Sequence, residues 1–488
     1  MNKSKGLVVF AIMAAVVAAA VGLLAGDDGK VPITTSSDAA MEQYLKGRDM
    51  ADRLRNLEAR DYFMKAVKAD PGFAMAHLNL SLVSATASEF FEEFNKARAL
   101  VDKISEGEQK WILGFEAGAI NGDPATQLKY YKELVGMYPN DERAHNLLGG
   151  YHFGIQDYPA AIEAYEMAAT INPEFSQPLN QLGYAYRFMS DFENAEKTFK
   201  RYTELIPDDP NPYDSYAELL LKMGSFDKSI EKYREALEIQ PTFIFSYLGI
   251  ASCLSYQGKH ELAQKELDKM YKLAAHDGQR RTALFGKAVC YHDAGNNEMA
   301  LETLRGQYKV AEAIDDTSAM TGDLNQMAYV LREDGQLDKS AEYYDKSKEM
   351  MNASSLDDNV KEQAHLGYLY NMARIDIARG DVDAARARQT EYSKHAHAVN
   401  NAFQIRLSHE MAGMIALAEG EHQKAIDELA QANQQNPYNH YRIGLCYEGL
   451  GQKDKAQTSF SQAANWNQPN FYLYASIRSK AGEKSMSM

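Results

Sequence analysis

The histidine, cysteine and acidic residues of this 488-residue chain lack the spacing that catalytic and metal-binding motifs require. The His-Glu pairs at 260–261 and 409–410 begin a zinc-helix motif, but neither is followed by its second histidine. His395 and His397 are two residues apart, so a helix would point them in different directions. No phosphate loop, nucleophile elbow or Cys-x-x-Cys pair occurs. We expect no catalytic residue, metal or cofactor; the enzyme alternative is a site of scattered residues at 281–405.

The charge of the chain narrows the class of partner. Acidic residues number 68 against 52 basic ones, a formal net charge of −16. Nucleic acids and anionic membrane surfaces attract clustered positive charge, so neither is expected as the main partner. The 45% hydrophobic and 25% charged composition is that of a folded globular protein. Three cysteines are too few for a disulfide scaffold.

The N-terminal residues indicate export. Lys3 and Lys5 precede an uncharged, mostly apolar run at 6–26, and two aspartates follow it. This charge order places the body of the chain outside the cytoplasm, and about 20 apolar residues suffice to span a bilayer. We predict a signal-anchor helix at 1–26 facing the periplasm or exterior, or alternatively a cleaved signal peptide, since small residues at 18–22 suit cleavage. The polar residues 27–39 are predicted to form a flexible linker.

The elements that must position any site follow one repeated pattern. With the first residue of each copy called position 1, position 8 is small in eleven of twelve copies and position 20 in ten. Small residues at these positions let two successive helices approach closely, and glycine at position 15 can end the first helix in a left-handed conformation. The pitch is 34 residues for the first seven copies and looser afterwards, with copies starting at residues 40, 74, 108, 142, 176, 210, 244, 281, 321, 366, 406 and 437.

These positions resemble those of the tetratricopeptide repeat family. Glycine or alanine at 8, alanine at 20, an aromatic ring at 24, alanine at 27 and proline at 32 characterise that family, and the resemblance covers roughly 40–470. It implies an all-α fold, a right-handed α-solenoid of about twelve helix-turn-helix repeats preceded by the N-terminal apolar helix. Regular repeats are expected at 40–280, longer ones at 281–436, a last repeat with a capping helix at 437–480, and a frayed tail at 481–488.

Departures from the pattern predict local changes in the helices. The copy at 74 has Glu93 at position 20 and three phenylalanines nearby, so its second helix should be shifted or longer. The extra residues of the copies at 281, 321 and 366 should lengthen helices or a loop, with 352–358 as the best loop candidate. The cysteines all fall at position 10, an inward position, which predicts buried free thiols.

The resemblance also implies where a ligand would bind. In the family the concave surface is lined by positions 2, 5, 9, 12 and 13 of the first helices. Side-chain amides there could pair with the backbone of an extended peptide, and aromatic rings and arginine are frequent binding hot spots. The alternative is that these positions are merely solvated. The candidate groove residues are Asn146, Phe153, Asn180, Tyr184, Arg187, Phe188, Asp214, Phe245 and Tyr256.

Together these patterns predict a non-catalytic scaffold that binds a protein or extended peptide in the groove and is held outside the cytoplasm. A glycan- or small-molecule-binding solenoid that uses the same aromatic groove is the alternative, because stacking on sugars also uses Tyr and Phe. The membrane would be contacted through the N-terminal helix alone, with no nucleic acid involved.

Overall fold

The computed structural model describes residues 29–84, 87–356, 358–469 and 472–487, with side chains described for the same residues except 87–88 and 472–474. Over these ranges the regular elements are helices and no strand occurs. The helix predicted at 1–26 lies outside the described residues. Within the described ranges, no helix is both long enough and apolar enough to cross a bilayer.

The chain divides into two compact units, the first ending at Leu219 and the second running from Leu220 to Met488. In unit 1 the helices form antiparallel pairs, with the last helix crossing the boundary: α1 (Asp38–Asp52), α2 (Asn56–Ala69), α3 (Ala74–Leu82), α4 (Ala87–Ala99), α5 (Glu106–Phe115), α6 (Pro124–Met137), α7 (Glu142–Gly154), α8 (Tyr158–Ile171), α9 (Gln177–Phe188), α10 (Phe192–Leu205) and α11 (Pro210–Lys222). A π-helical turn at Glu116–Ile120 extends α5.

Unit 2 continues the same alternation with longer helices in its middle. Its elements are α12 (Phe226–Ile239), α13 (Ile244–Tyr256), α14 (His260–Leu273), α15 (Asp277–Asp293), α16 (Asn297–Ala313), α17 (Thr317–Glu333), α18 (Leu337–Ala353), α19 (Asp358–Arg379), α20 (Val382–Ala398), α21 (Ala402–Ala418), α22 (His422–Leu429), α23 (Pro437–Gly449), α24 (Lys453–Ala464) and α25 (Tyr472–Met486). The sequence boundary at 280/281 therefore marks a change in helix length, whereas the compact units separate at 219/220.

The left-handed turn predicted at position 15 is present in eleven of the twelve copies. All eight glycines at this position have positive φ: Gly122, Gly224, Gly258, Gly295, Gly335, Gly380, Gly420 and Gly451. Leu54, Gln156 and Ser190 occupy the same position without being glycine, and they also have positive φ, between 58° and 63°. The tight turn is thus set by the packing of the helix pair, which overrides the cost that a side chain adds in this conformation. Position 16 then begins the second helix, and Asp157, for example, accepts the backbone N–H of Ala160 there.

Contact between position 8 and position 24 brings the two helices of a pair together. A Cβ built on Gly183 would lie 2.5 Å from the Phe199 ring, and one on Gly149 would lie 2.6 Å from Tyr165. Gly444 approaches Phe460 in the same way. Each glycine therefore leaves room for the ring 16 residues later, which is buried. This close approach is the physical reason for the small residues recognised in the sequence.

The departures from the regular pattern are resolved as changes in helix length and register. Helices α15 to α18, α20 and α21 have 17 residues and α19 has 22, against 13 or 14 in most regular pairs, so the extra residues lengthen helices. A short break also follows Ala353, within the loop predicted at 352–358. In the copy at 74, α4 begins early, and Phe94 packs within 6.4 Å of both Phe90 and Phe115.

The described part of the segment 27–39 is packed instead of forming a flexible linker. Val31 and Ile33 are fully buried against unit 1. The Val31 N–H donates to Asp141 Oδ2 at 2.8 Å, and the Thr34 N–H donates to Glu108 Oε1 at 2.9 Å. The buried side chains of Val31 and Ile33 and the hydrogen-bonded N–H groups of Val31 and Thr34 hold this segment, which we call the strap (residues 30–35). Its polar composition alone did not reveal this packing.

The C-terminal residues also differ from the prediction. Helix α25 extends to Met486, and Ala481 is fully buried, so 481–486 are helix and not a frayed tail. The capping role predicted for the end of the chain is present, because α25 packs against α24, where Ser461 and Ser485 are hydrogen-bonded at 2.9 Å. Cys253, Cys290 and Cys446 are free and buried, as expected for position 10.

The contact between positions 8 and 24 predicts the direction in which a substitution changes the free energy of unfolding. Gly183→Val should lower the free energy of unfolding of unit 1 by about 1–3 kcal/mol, because the added carbons overlap the Phe199 ring. Gly136→Ala is the matched control: it adds a Cβ into open space on α6 and should stabilise by about 0.5–1 kcal/mol. Urea unfolding followed by circular dichroism measures both. Equal effects of the two substitutions would contradict the packing described here.

Candidate functional site

The candidate site is the inner face of each unit, defined as positions 2, 5, 9, 12 and 13 of the first helices of its repeats. In unit 1 this face lies on α7, α9 and α11, which carry seven of the nine candidate residues. At position 5, Asn146, Asn180 and Asp214 are buried. They are therefore not the solvent-facing polar row that the sequence suggested.

Side chains on this face form a ladder with an offset of 31 residues. Asn146 Nδ2 donates to Gln177 Oε1 at 3.1 Å, and Asn180 Nδ2 donates to Asn211 Oδ1 at 3.4 Å. In both cases position 5 of one repeat meets position 2 of the next. Position 5 thus fixes the spacing of neighbouring repeats, and its amides are not free donors for a peptide.

The half-buried part of the face is centred on Arg187, whose side chain is 13% exposed. Its Nη1 donates to Glu218 Oε2 at 3.0 Å, again 31 residues away. Its guanidinium lies 4.6 Å from the ring of Tyr184 and 5.1 Å from that of Phe188. The Tyr184 hydroxyl donates to Ser215 Oγ at 3.3 Å, and burial raises its pKa well above the usual value. The structure therefore brings the candidate residues Tyr184, Arg187 and Phe188 together and places Glu218 beside them.

Phe153 and Phe188 belong to an aromatic cluster that joins two repeats. The Tyr158 and Phe188 rings are stacked with centroids 5.0 Å apart, and Phe153 meets both of them edge-on. Tyr158 lies on the second helix of its pair, so inner-face positions alone could not have identified it. Because the stacked rings cover each other's faces, the cluster presents ring edges more than open ring faces.

A buried ion pair at position 2 was missed by sequence reasoning. Arg143 donates to both carboxylate oxygens of Asp52, at 3.1 and 2.7 Å, and lies over the Phe175 ring. Arg48 is close by, and burial together with Arg143 lowers the pKa of Arg48 to about 10. The C-terminal end of α1 therefore lies against the inner face of unit 1. Nothing in the sequence around Arg143 indicates that its partner is Asp52, 91 residues away.

The last two candidate residues belong to unit 2, and their environments differ. Phe245 is 57% exposed, with only an edge contact to Phe243. Tyr256 stacks on Phe226 at 5.2 Å, and its hydroxyl bonds the backbone N–H and C=O of Gln468, both at 2.8 Å. The structure thus separates these residues, and it places Tyr256 against the chain's own C-terminal segment.

A fully buried carboxylate lies at position 5 in unit 2. Glu410 accepts hydrogen bonds from Tyr370 at 2.8 Å, Asn436 at 3.0 Å and Arg442 at 2.8 Å. Burial alone would raise the pKa of Glu410, but the Arg442 guanidinium and these donors hold it below its ordinary value. The neighbouring Arg374 is also buried, within 5.8 Å of the rings of Tyr329, Tyr370 and Tyr438. This network ties three repeats together.

The remaining reactive side chains are paired or shielded. His395 bonds Glu362 at 3.0 Å and His397 bonds the Ser393 carbonyl at 2.9 Å, so the two histidines do not share a site. Over the described ranges, no group of three His, Cys, Asp or Glu side chains is placed to hold a metal ion. Burial raises the pKa of Cys253 to about 12 and of Cys446 to about 11, which keeps both as unreactive thiols at neutral pH.

Comparison with protein families identifies the repeats. One tetratricopeptide repeat model matches residues 121–174, and a second matches 176–209, 211–243 and 437–470. The chain contains tetratricopeptide repeats. The matched segments include α7, α9 and α11, so the ladder of unit 1 is built on recognised repeats.

The relatives and solved structures that this chain resembles are 15–23% identical to it, and each aligns with only part of it. The human protein O-mannosyl-transferase TMTC3 is 23% identical over 191 residues, 36% of this chain, and the chain spans only 20% of that protein. A tetratricopeptide repeat protein from Parabacteroides merdae aligns over 59% of this chain and all of its own length, with 15% identity and a TM-score of 0.36. YrrB, described as having an unusual peptide-binding site, aligns over 43% of this chain and 91% of its own, with 16% identity and a TM-score of 0.27. MamA aligns over 34% and 91%, with 22% identity and a TM-score of 0.30.

The Glu410 network predicts a destabilisation that depends on pH. Glu410→Ala should lower the free energy of unfolding at pH 7 by about 3–5 kcal/mol, because it leaves Arg442 buried without its anion. The lowered pKa of Glu410 means that its contribution is present above its ordinary pKa of 4.5 and is lost as the pH falls below that value. The difference between wild type and variant should therefore shrink in acid.

Urea unfolding at pH 7 and at pH 4 or below measures this difference. The control is Glu302→Ala, which removes an exposed carboxylate on α16 and should change stability little at either pH. A cost for Glu410→Ala as small as that of Glu302→Ala, or a cost that grows in acid, would contradict the assignment.

Proposed function

We propose that this protein is a non-catalytic scaffold that binds segments of other proteins on the inner faces of its tetratricopeptide repeats. Proteins built from these repeats commonly bind proteins or peptides, and the ladder presents a preformed surface on recognised repeats. The observation that carries the proposal is the cluster of Tyr184, Arg187 and Phe188 on this face. Unit 1 also holds an extended segment, its own strap, at the N-terminal ends of α5 and α7.

The strap is held through both its side chains and its backbone. The N–H groups of Val31 and Thr34 donate to acidic side chains, and the Pro32 carbonyl accepts from Ser105 Oγ at 2.8 Å. The acceptors and donors belong to successive repeats, with Glu108 in one and Asp141 immediately before the next. Three extended residues span about 10 Å, which matches the spacing of packed helices. The repeats of this chain can therefore recognise an extended segment at their own pitch.

A partner would meet the half-buried part of the unit 1 face around Arg187. Tyr184, Arg187 and Phe188 combine a cation with aromatic surface, the combination enriched at binding hot spots. The stacked arrangement of Tyr158 and Phe188 leaves few open ring faces, which favours a peptide over a sugar as the ligand. Asn146 and Asn180 hold the repeats in register beneath this surface.

The scaffold would be non-catalytic and exported. The transferase activity in the name of the human relative belongs to a protein of which this chain spans 20%. The charge order around the apolar run at 6–26 supports a location outside the cytoplasm, with this run as anchor or signal.

Partner capture tests the unit 1 face directly. The double substitution Tyr184→Ala/Arg187→Glu should reduce recovery of cross-linked partners from the native envelope at least tenfold, because it removes the cation and its aromatic neighbour. Arg201→Glu is the matched control, since Arg201 is exposed on the second helix α10, and it should leave recovery unchanged. Mass spectrometry of the cross-linked products identifies and quantifies the partners.

A charge swap separates binding from stability. Arg187→Glu/Glu218→Arg should restore the ion pair between neighbouring repeats, and we expect folding to be retained while capture is still reduced. Unchanged capture by the Tyr184→Ala/Arg187→Glu protein would refute the proposed site.

A further inference from the structure

The C-terminal helix occupies the inner face of unit 2. Ser476 Oγ on α25 accepts a hydrogen bond from Tyr329 at 3.0 Å and bonds His292 Nε2 at 2.6 Å. The Arg478 guanidinium lies 4.4 Å from the Tyr256 ring, and Lys480 lies 3.0 Å from Glu333. The residues that receive α25 are 147 to 222 positions earlier in the sequence. A cap needs to cover only the adjacent helix α24, so these contacts go beyond capping.

The contacts fall on the positions that line the inner face. Tyr329 is at position 9 of its repeat, His292 at position 12, and Asp293, Glu333 and Tyr256 at position 13. They belong to three successive first helices, α13, α15 and α17. The helix α25 therefore lies across three repeats at the positions where a ligand is expected.

The segment before α25 follows the same surface. Both backbone groups of Gln468 bond the Tyr256 hydroxyl, and Asn467 Nδ2 donates to the Lys222 carbonyl at 3.4 Å. The Lys222 ammonium group lies 3.4 Å from the centre of the Trp466 ring. Residues 466–468 and the part of α25 from Ser476 to Lys480 thus both lie on this face.

The carboxylates near α25 are complementary in charge to its basic side chains. On α25 the three basic residues each oppose a carboxylate: Lys480 faces Glu333 at 3.0 Å, Lys484 faces Glu448 at 2.7 Å, and Arg478 is 3.9 Å from Asp293. Burial alone would raise the pKa of Glu333, but Arg332 and Lys480 hold it far below its ordinary value, so it is an anion at neutral pH. The face therefore selects a helix with a basic side.

The occupant is held by interactions that another helix could replace. Among the described side chains of α25, those that are buried are Ala475, Ser476, Ile477 and Ala481, and only Ile477 is large. The side chain of Lys480 is 50% exposed and that of Lys484 36%, and such exposed ion pairs contribute little. A second basic helix presenting a similar face can form the same contacts.

We propose that the inner face of unit 2 is a binding site for a basic helix of a partner protein, and that α25 occupies this site in the free protein. A partner helix must displace α25, so access is regulated by the chain itself. This inference deepens the proposed scaffold function, and it concerns a surface separate from the Arg187 site of unit 1.

The test uses a fluorescein-labelled peptide with the sequence of residues 466–487 and the full chain, with binding measured by fluorescence anisotropy. The wild-type chain should bind it weakly, because α25 occupies the site. Arg478→Glu/Lys480→Glu, which sets carboxylates opposite Asp293 and Glu333, should release α25 and bind the peptide at least tenfold more tightly. Adding Glu333→Lys to that variant should abolish the gain.

Two controls make the result specific. Lys309→Glu/Lys394→Glu reverses the same number of charges at exposed lysines and should bind the peptide as weakly as the wild type does. A peptide carrying the two glutamates at 478 and 480 should bind neither the wild-type chain nor the Arg478→Glu/Lys480→Glu protein. Absence of any gain in a folded Arg478→Glu/Lys480→Glu protein would overturn the proposal and leave α25 as a permanent cap.

Hydrogen exchange on the wild-type chain gives an answer that does not depend on the variants folding. Excess peptide should accelerate amide exchange in 475–486, because the displaced helix loses its contacts, while the strap keeps its protection. Unchanged exchange in α25 at saturating peptide would equally overturn the proposal. Peptide binding with no partner recovered at the Arg187 site would refute the proposed function of unit 1 alone, and the converse would refute only the present inference.

Discussion

The architecture depends on a close contact inside most of the helix pairs, where a small residue at position 8 accepts a large side chain from position 24. The pairs Gly149–Tyr165, Gly183–Phe199 and Gly444–Phe460 leave no space for a Cβ. Once this distance is fixed, the chain must reverse within a few residues, and the left-handed residue at position 15 makes the reversal. Leu54, Gln156 and Ser190 adopt that conformation without being glycine, which shows that the helix packing imposes it.

The same constraint determines the inner face. Pairs that pack at a constant spacing bring position 5 of one repeat against position 2 of the next, so Asn146 and Asn180 become connections between repeats. Positions 9, 12 and 13 remain for binding. In unit 1 they carry Tyr184, Arg187 and Phe188. In unit 2 the same positions hold the C-terminal helix, and the strap of unit 1 shows that the repeats also hold an extended segment.

Much of the fold could be predicted from the sequence because it rests on local periodicity. The helix pairs, the turn glycines, the buried cysteines and the shifted helix at 87–99 follow from residues within one or two repeats. The site was predicted less completely. The sequence identified the cluster around Arg187, but it placed the position 5 amides in solvent, because the 31-residue offset between bonded side chains appears only when neighbouring repeats pack. Asp52–Arg143 and Tyr329–Ser476 join residues 91 and 147 positions apart, and periodicity carries no information about them. The strap has a polar composition, yet its alternating Val31 and Ile33 fill an apolar surface.

The central claim is that partners bind on the inner faces of the repeats. Site-specific photo-cross-linking in the native envelope tests it most directly, with p-benzoylphenylalanine placed at Phe188 on the inner face of unit 1 and, separately, at Arg201 on the second helix α10 of the same repeat. If partners bind on the inner faces, position 188 should give cross-links to a partner protein and position 201 should give none. Cross-links from position 201 with none from position 188 would show that the outer surface is the one that binds, and would contradict the account.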